Sequence, residues 1–223
     1  MPALSPGYND KIIVIDLRTG QRTEWQGGLY RTGKVFSIPD LSWAADGQSL
    51  VFVGQWCDSA GQSTSCLGTP GAGGYRDAQV WSLSTATVGG PLTRGRLLLR
   101  ESARYPVIAQ AYGGPDSSDI TVVVLSGRVN NNGQWQWPLL AVETVSAVNG
   151  SVLAVDYRIL HNPGFGGSPQ QVWLTADPGG RHLLVSYAVI HGIVIGWIGQ
   201  GAFHSLPIPQ PYLPTDATLV IAW

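Results

Sequence analysis

The chain has 223 residues, of which 44% are hydrophobic and only 12% charged, with 29 Gly, 15 Pro and nine Trp. That is enough apolar mass for a real core, and far too little charge for a disordered chain or a coiled coil. A formal net charge of −1 provides no long-range field to hold nucleic acid or an anionic membrane.

The opening residues MPALSPGYND carry neither the basic nor the apolar region of a leader peptide. KIIVIDLRTGQRTEW (11–25) reads as two short strands about a polar turn, and DLSWAADGQSLVF (40–52) as a hairpin turning at Asp46-Gly47. Cys57 and Cys66 then share the polar stretch QWCDSAGQSTSCLG within a long loop at 55–77. They read as a local disulfide, which implies an oxidising compartment, with two inert thiols as the alternative. A tetrahedral metal site would need further His or Cys nearby. AQVWSLSTATVGGPLTR (78–94) is a second strand pair, followed by Arg94, Arg96, Arg100 and Arg104 with Glu101 among them. This pattern suits a solvated outer edge strand that discourages pairing with another sheet.

VIAQAYGGPDSSDITVVV (107–124) is a looser hairpin. A polar loop at 126–137 holds Asn130-Asn131-Asn132-Gly133, then Trp135 and Trp137. LLAVETVSAVNGSVLAVD (139–156) is expected to turn tightly at Asn149-Gly150, a better reading of Asn149-Gly150-Ser151 than a glycosylation acceptor. VWLTADPGGRHLLVS (172–186) turns at Asp177-Pro178-Gly179-Gly180. LLVSYAVIHGIVIGWIGQGAF (183–203) has nearly the length of a membrane span, but His191-Gly192 and Gln200-Gly201 divide it into three short strands. The last apolar segment is ATLVIAW (217–223).

Two kinds of unit therefore alternate. Hairpins at 40–52, 107–124 and 172–186 are each followed by a strand pair, and such pairs begin near residues 12, 79, 139 and 193. Four strands per repeat is the layout of a β-propeller blade. Blades packed face to face cover both sides of each sheet, which accounts for the high apolar content. The turns Ala45-Asp46-Gly47 and Ala176-Asp177-Pro178-Gly179-Gly180, with Gly114-Pro115-Asp116 as a third, resemble the inner-strand turn of TolB-like and WD-repeat-like propellers. The chain is also similar in style to the extracytoplasmic propeller halves of actinobacterial membrane proteins. What the resemblance implies is an all-β fold, an interaction scaffold and an extracytoplasmic or secreted location.

The expectation is a single propeller domain over 1–223, with blades at 39–100, 106–158 and 170–208 and a composite blade joining 11–25 to 217–223. The composite blade lacks one strand. The ring is thus partial, a fragment of a longer chain, or completed by self-association with another copy.

Signals for chemistry are sparse. Asp46, Asp116, Asp119 and Asp177 sit where turns need side-chain acceptors, and Glu143 falls on an outer-type strand, poorly placed for a paired-carboxylate glycosidase. His161, His182, His191 and His204 have no metal-ligand spacing, and no nucleophile elbow or phosphate cradle occurs. The candidate binding residues are Trp56, Trp135 and Trp137, with Asn131 at a loop tip; the competing reading wedges those rings between blades. No catalytic residue, metal or cofactor is expected. The functional expectation is a non-catalytic module that binds a protein or cell-envelope partner through its loops, with a carbohydrate-binding propeller and a propeller glycoside hydrolase as alternatives.

Overall fold

A computed structural model describes residues 10–27, 34–58, 78–86, 88–102, 107–114, 116–129, 135–159, 172–177, 182–189 and 192–206. Fourteen strands run through them. An N-terminal hairpin consists of β1 (Ile12–Ile15) and β2 (Arg22–Trp25). A first four-stranded sheet follows, made of β3 (Lys34–Trp43), β4 (Ser49–Asp58), β5 (Gln79–Ser84) and β6 (Arg96–Arg100). The second holds β7 (Val107–Gly113), β8 (Asp119–Val129), β9 (Trp135–Ser146) and β10 (Val152–Ile159). The third holds β11 (Val172–Ala176), β12 (Leu183–Val189), β13 (Gly192–Gly199) and β14 (Ala202–Ser205). Every pairing is antiparallel between sequence neighbours. The fold is all-β, a β-propeller of four-stranded blades that do not close into a ring among the described residues. The terminal segment 217–223 of the expected composite blade lies outside those residues. No described helix is long and apolar enough to cross a membrane.

Strand periodicity decides what each blade buries. On β4, Leu50 and Phe52 join Ile12, Trp25, Phe36 and Trp81 in a core shared with the N-terminal hairpin. The residues between and beyond them, Val51 and Val53, face the other way and pack with Ile120, Val122 and Val124 of β8. Val123, between those valines, joins Val142, Leu183, Val185 and Ile198 in a third core between the second and third blades. Successive side chains thus enter different cores, so SLVFV and ITVVV read as continuous apolar runs. Burying one such side chain contributes roughly 1.5–3 kcal/mol, whereas ion pairs such as Lys11–Glu24 at 3.3 Å lie at the surface, screened by solvent. Stacking between blades, not surface charge, holds the molecule together.

The turns follow local chemistry. Asp46 Oδ1 accepts the amides of Gln48 (2.7 Å) and Ser49 (2.8 Å), and Gly47 takes φ +61°. Asp177 plays the same part in the third blade, accepting the His182 amide at 3.2 Å and its ring nitrogen at 3.0 Å. Gln200 and Gly201 turn β13 into β14 with φ of 54° and 75°. The Asn149-Gly150 turn differs from the expected two-residue hairpin. The Ser146 amide bonds the Ser151 carbonyl at 2.8 Å, closing a four-residue connection in which Asn149 Oδ1 accepts the Ser151 amide at 2.9 Å.

Two expected loops prove shorter. β4 continues through Trp56 and Cys57, because Phe36 pairs with Trp56 and Val35 with Cys57. This extension is accommodated by a bulge in β3 between Ser37 and Asp40, whose freed Ile38 amide is taken up by Asp10 Oδ2 at 2.8 Å. Likewise β8 extends to Val129 and β9 begins at Trp135, with Val129 and Trp135 paired.

Candidate functional site

Two polar side chains of the first blade's inner strand, Asp40 and Ser42, reach the second blade. β3 and β7, the first strands of consecutive blades, lie side by side, and both are bulged there. Asp40, beyond the β3 bulge, accepts the Ala111 amide of β7 at 3.0 Å. Two residues on, Ser42 Oγ accepts the Gly113 amide at 3.3 Å. Alternation on β3 turns Asp40 and Ser42 toward the second blade and leaves Leu41 and Trp43, 46% and 50% exposed, on the opposite face. Tyr112 is buried beside this seam and shares a hydrogen bond with Gln110.

Electrostatics at the seam follow from burial. Desolvation raises the Asp40 carboxyl above its usual range, although amide donors from Ala111 and Leu41 oppose the shift. Desolvation also raises the Tyr112 phenol, and the Asp40 charge adds to it, so Tyr112 stays protonated. The folded Asp40 pKa lies above its unfolded value near ~3.9. Its contribution to stability is therefore full below that value and is lost as pH rises through the folded pKa. Asp40→Asn keeps an acceptor for the Ala111 amide and never charges. Denaturant midpoints measured from pH 3 to 7 should show the variant gaining on the parent as pH rises. A difference independent of pH would remove this account of Asp40.

The seam was not among the candidate binding residues. Trp56 is only 7% exposed, with its ring edge-on to Phe36 at 5.0 Å. It is a core ring rather than an open platform. Trp135 and Trp137 lie within β9, and Asn131 lies outside the described residues. Cys57 is buried on β4, while Cys66 lies outside the described residues.

No family model matches the chain, and no curated protein does. Solved structures do. A dipeptidyl peptidase 4 from Porphyromonas gingivalis is similar over 91% of this chain and 30% of its own, at a TM-score of 0.52 and 12% identity. An acylaminoacyl peptidase from Pyrococcus horikoshii is similar over 89% of this chain and 28% of its own, with a TM-score of 0.48 and 12% identity. TolB from Acinetobacter baumannii is similar over 87% and 37%, with a TM-score of 0.41 and 17% identity. This chain spans about a third of the length of these proteins. At such identities the likeness shows the fold alone, a propeller-like stack of blades.

The dipeptidyl peptidase structure corrects the expectation of a non-catalytic interaction module. A similar blade stack forms part of a peptidase chain there, so a propeller read from sequence is no ground for setting catalysis aside. The likeness supports neither the carbohydrate-binding nor the glycoside hydrolase alternative. The lack of a nucleophile elbow speaks only for the blades, whereas most of the dipeptidyl peptidase chain lies outside the likeness.

Proposed function

We propose that this chain is the propeller part of a peptidase-type protein, acting on peptides, whose reacting groups are supplied outside the blades. The observation that carries the reading is the likeness over 91% of this chain to under a third of a dipeptidyl peptidase. The blade stack supports it physically: three shared apolar cores make a rigid frame on which a second unit can be seated. The test uses the protein at the length its cell makes it, incubated with a peptide library and followed by mass spectrometry. Cleaved peptides are the expected result, and a library left intact would overturn the reading.

The proposal extends to a Cys57–Cys66 bridge closing the 57–66 loop and hence to an oxidising compartment. Its support is the polar, Gly- and Ser-rich sequence between two cysteines, the first of them seated at the end of a paired strand. Alkylation of the unreduced protein should add no mass at either cysteine. Two modified thiols would end the claim.

A further inference from the structure

Between the first and second blades, at the end carrying the β3–β4, β7–β8 and β9–β10 turns, lies a groove of about 320 Å³. Its wall is polar and cationic. The first blade contributes Ser49, Ser82, Ser84, Arg94 and Arg96, and turns of the second contribute Ser117 and Ser118.

The two guanidiniums are held in place without being neutralised. Arg94 ends a short 3-10 turn (Leu92–Arg94), and its Nη1 donates to the carbonyls of Val88 at 3.0 Å and Gly89 at 2.9 Å. Arg96 Nη1 donates to the Val148 carbonyl of the second blade at 3.2 Å. Carbonyls fix the orientation of each guanidinium but leave its charge and its other N–H donors available. Among the described residues neither arginine forms an ion pair; the pairs found involve Lys11, Arg22 and His182. Two acids beside the groove accept from two of its serines. Asp46 holds the Ser49 hydroxyl at 3.0 Å, and Asp119 holds that of Ser118 at 3.0 Å. The hydroxyls of Ser82 and Ser117 make no such bond among the described residues.

A concave site with two oriented guanidiniums and two uncommitted hydroxyls matches a ligand that only accepts hydrogen bonds and carries negative charge. We propose that this groove binds a small oxyanion, a carboxylate or a phosphate, between Arg94, Arg96, Ser82 and Ser117. This is independent of the peptidase reading, because it concerns a site within the blades.

The test titrates the full chain with inorganic phosphate and, separately, with acetate by calorimetry, chloride holding the ionic strength constant. Saturable binding of either anion is expected, weakened roughly tenfold or more by Arg96→Gln, as suits loss of a charged hydrogen-bond donor. Binding of phosphate alone assigns the ligand as a phosphate, and binding of acetate assigns a carboxylate. A Ser82→Ala/Ser117→Ala double variant decides the matter if Arg96→Gln does not fold, and it should weaken binding several-fold. Absence of saturable heat with both anions, or unchanged affinity in a folded Arg96→Gln or the double variant, would overturn the proposal.

Discussion

Gly113→Ala is expected to destabilise the protein by about 3 kcal/mol or more, beyond the usual 1–3 kcal/mol of an overpacked core. Gly113 ends β7 where it runs against β3. A Cβ placed there would lie 2.2 Å from the Trp43 carbonyl oxygen and 2.5 Å from the Ala44 Cα. Both obstacles are backbone, so no rotamer change relieves them, and the inner strands of two blades must separate. Separation would lengthen the Ser42–Gly113 hydrogen bond and the Asp40–Ala111 bond one turn of the pleat away. It would also loosen the core that Ala44 shares with Ala111 and Ile120. Gly47→Ala is the control. Gly47 has open space around it but φ +61°, so alanine there should cost only the left-handed strain of about 1 kcal/mol. Urea unfolding of both variants gives the comparison. If Gly113→Ala proved the milder of the two, the close approach of β3 and β7 could not be right.

This seam shows why the fold was more legible than the site. Blade layout leaves local marks. Asp46 with Gly47, and Gln200 with Gly201, are turn residues whose function is complete within a few positions of themselves. Alternation within SLVFV and ITVVV likewise announces strands with two buried faces. Strand ends are less visible, because β4 reaches Asp58 only through pairing with Lys34 across the sheet. Trp56 therefore looked like a loop residue when it is a core ring. The seam leaves a single local mark. Asp40 and Ala111 are separated by 71 positions, and near Asp40 in sequence only Pro39 sets it apart from a turn aspartate, since proline inside a strand marks a bulge or an edge. The proposed peptidase role would leave no mark in the blades for another reason. A propeller's sequence records how blades pack, and that packing is the same whatever chemistry the frame accompanies.

Trp25→Ala is expected to cost about 3–5 kcal/mol. Trp25 is completely buried at the end of β2, in the core formed with Phe36, Leu50, Phe52 and Trp81. It is also the point at which the N-terminal hairpin is tied to the first blade through the backbone. The Gly90 amide donates to the Glu24 carbonyl at 3.0 Å, and the Gln26 amide to the Gly90 carbonyl at 2.9 Å, giving a parallel bridge between Trp25 and Gly90. Gly89 is needed at this junction, since a Cβ would lie 2.1 Å from the Glu24 oxygen. An isolated two-stranded hairpin is marginal in water, so the hairpin depends on this docking more than the blade does. Removing the indole should therefore release β1 and β2 while leaving the second and third blades folded. Hydrogen exchange would show this as early loss of protection at Ile12–Ile15 and Arg22–Trp25, with β8 still protected. Trp25→Phe separates shape from hydrogen bonding. The buried indole nitrogen has no acceptor among the described residues, so phenylalanine gives up ring volume but no bond, and it should cost clearly less than alanine. Equal losses for the two variants, or uniform loss of protection in all three blades, would show that the hairpin is not an appended element but part of one cooperative unit.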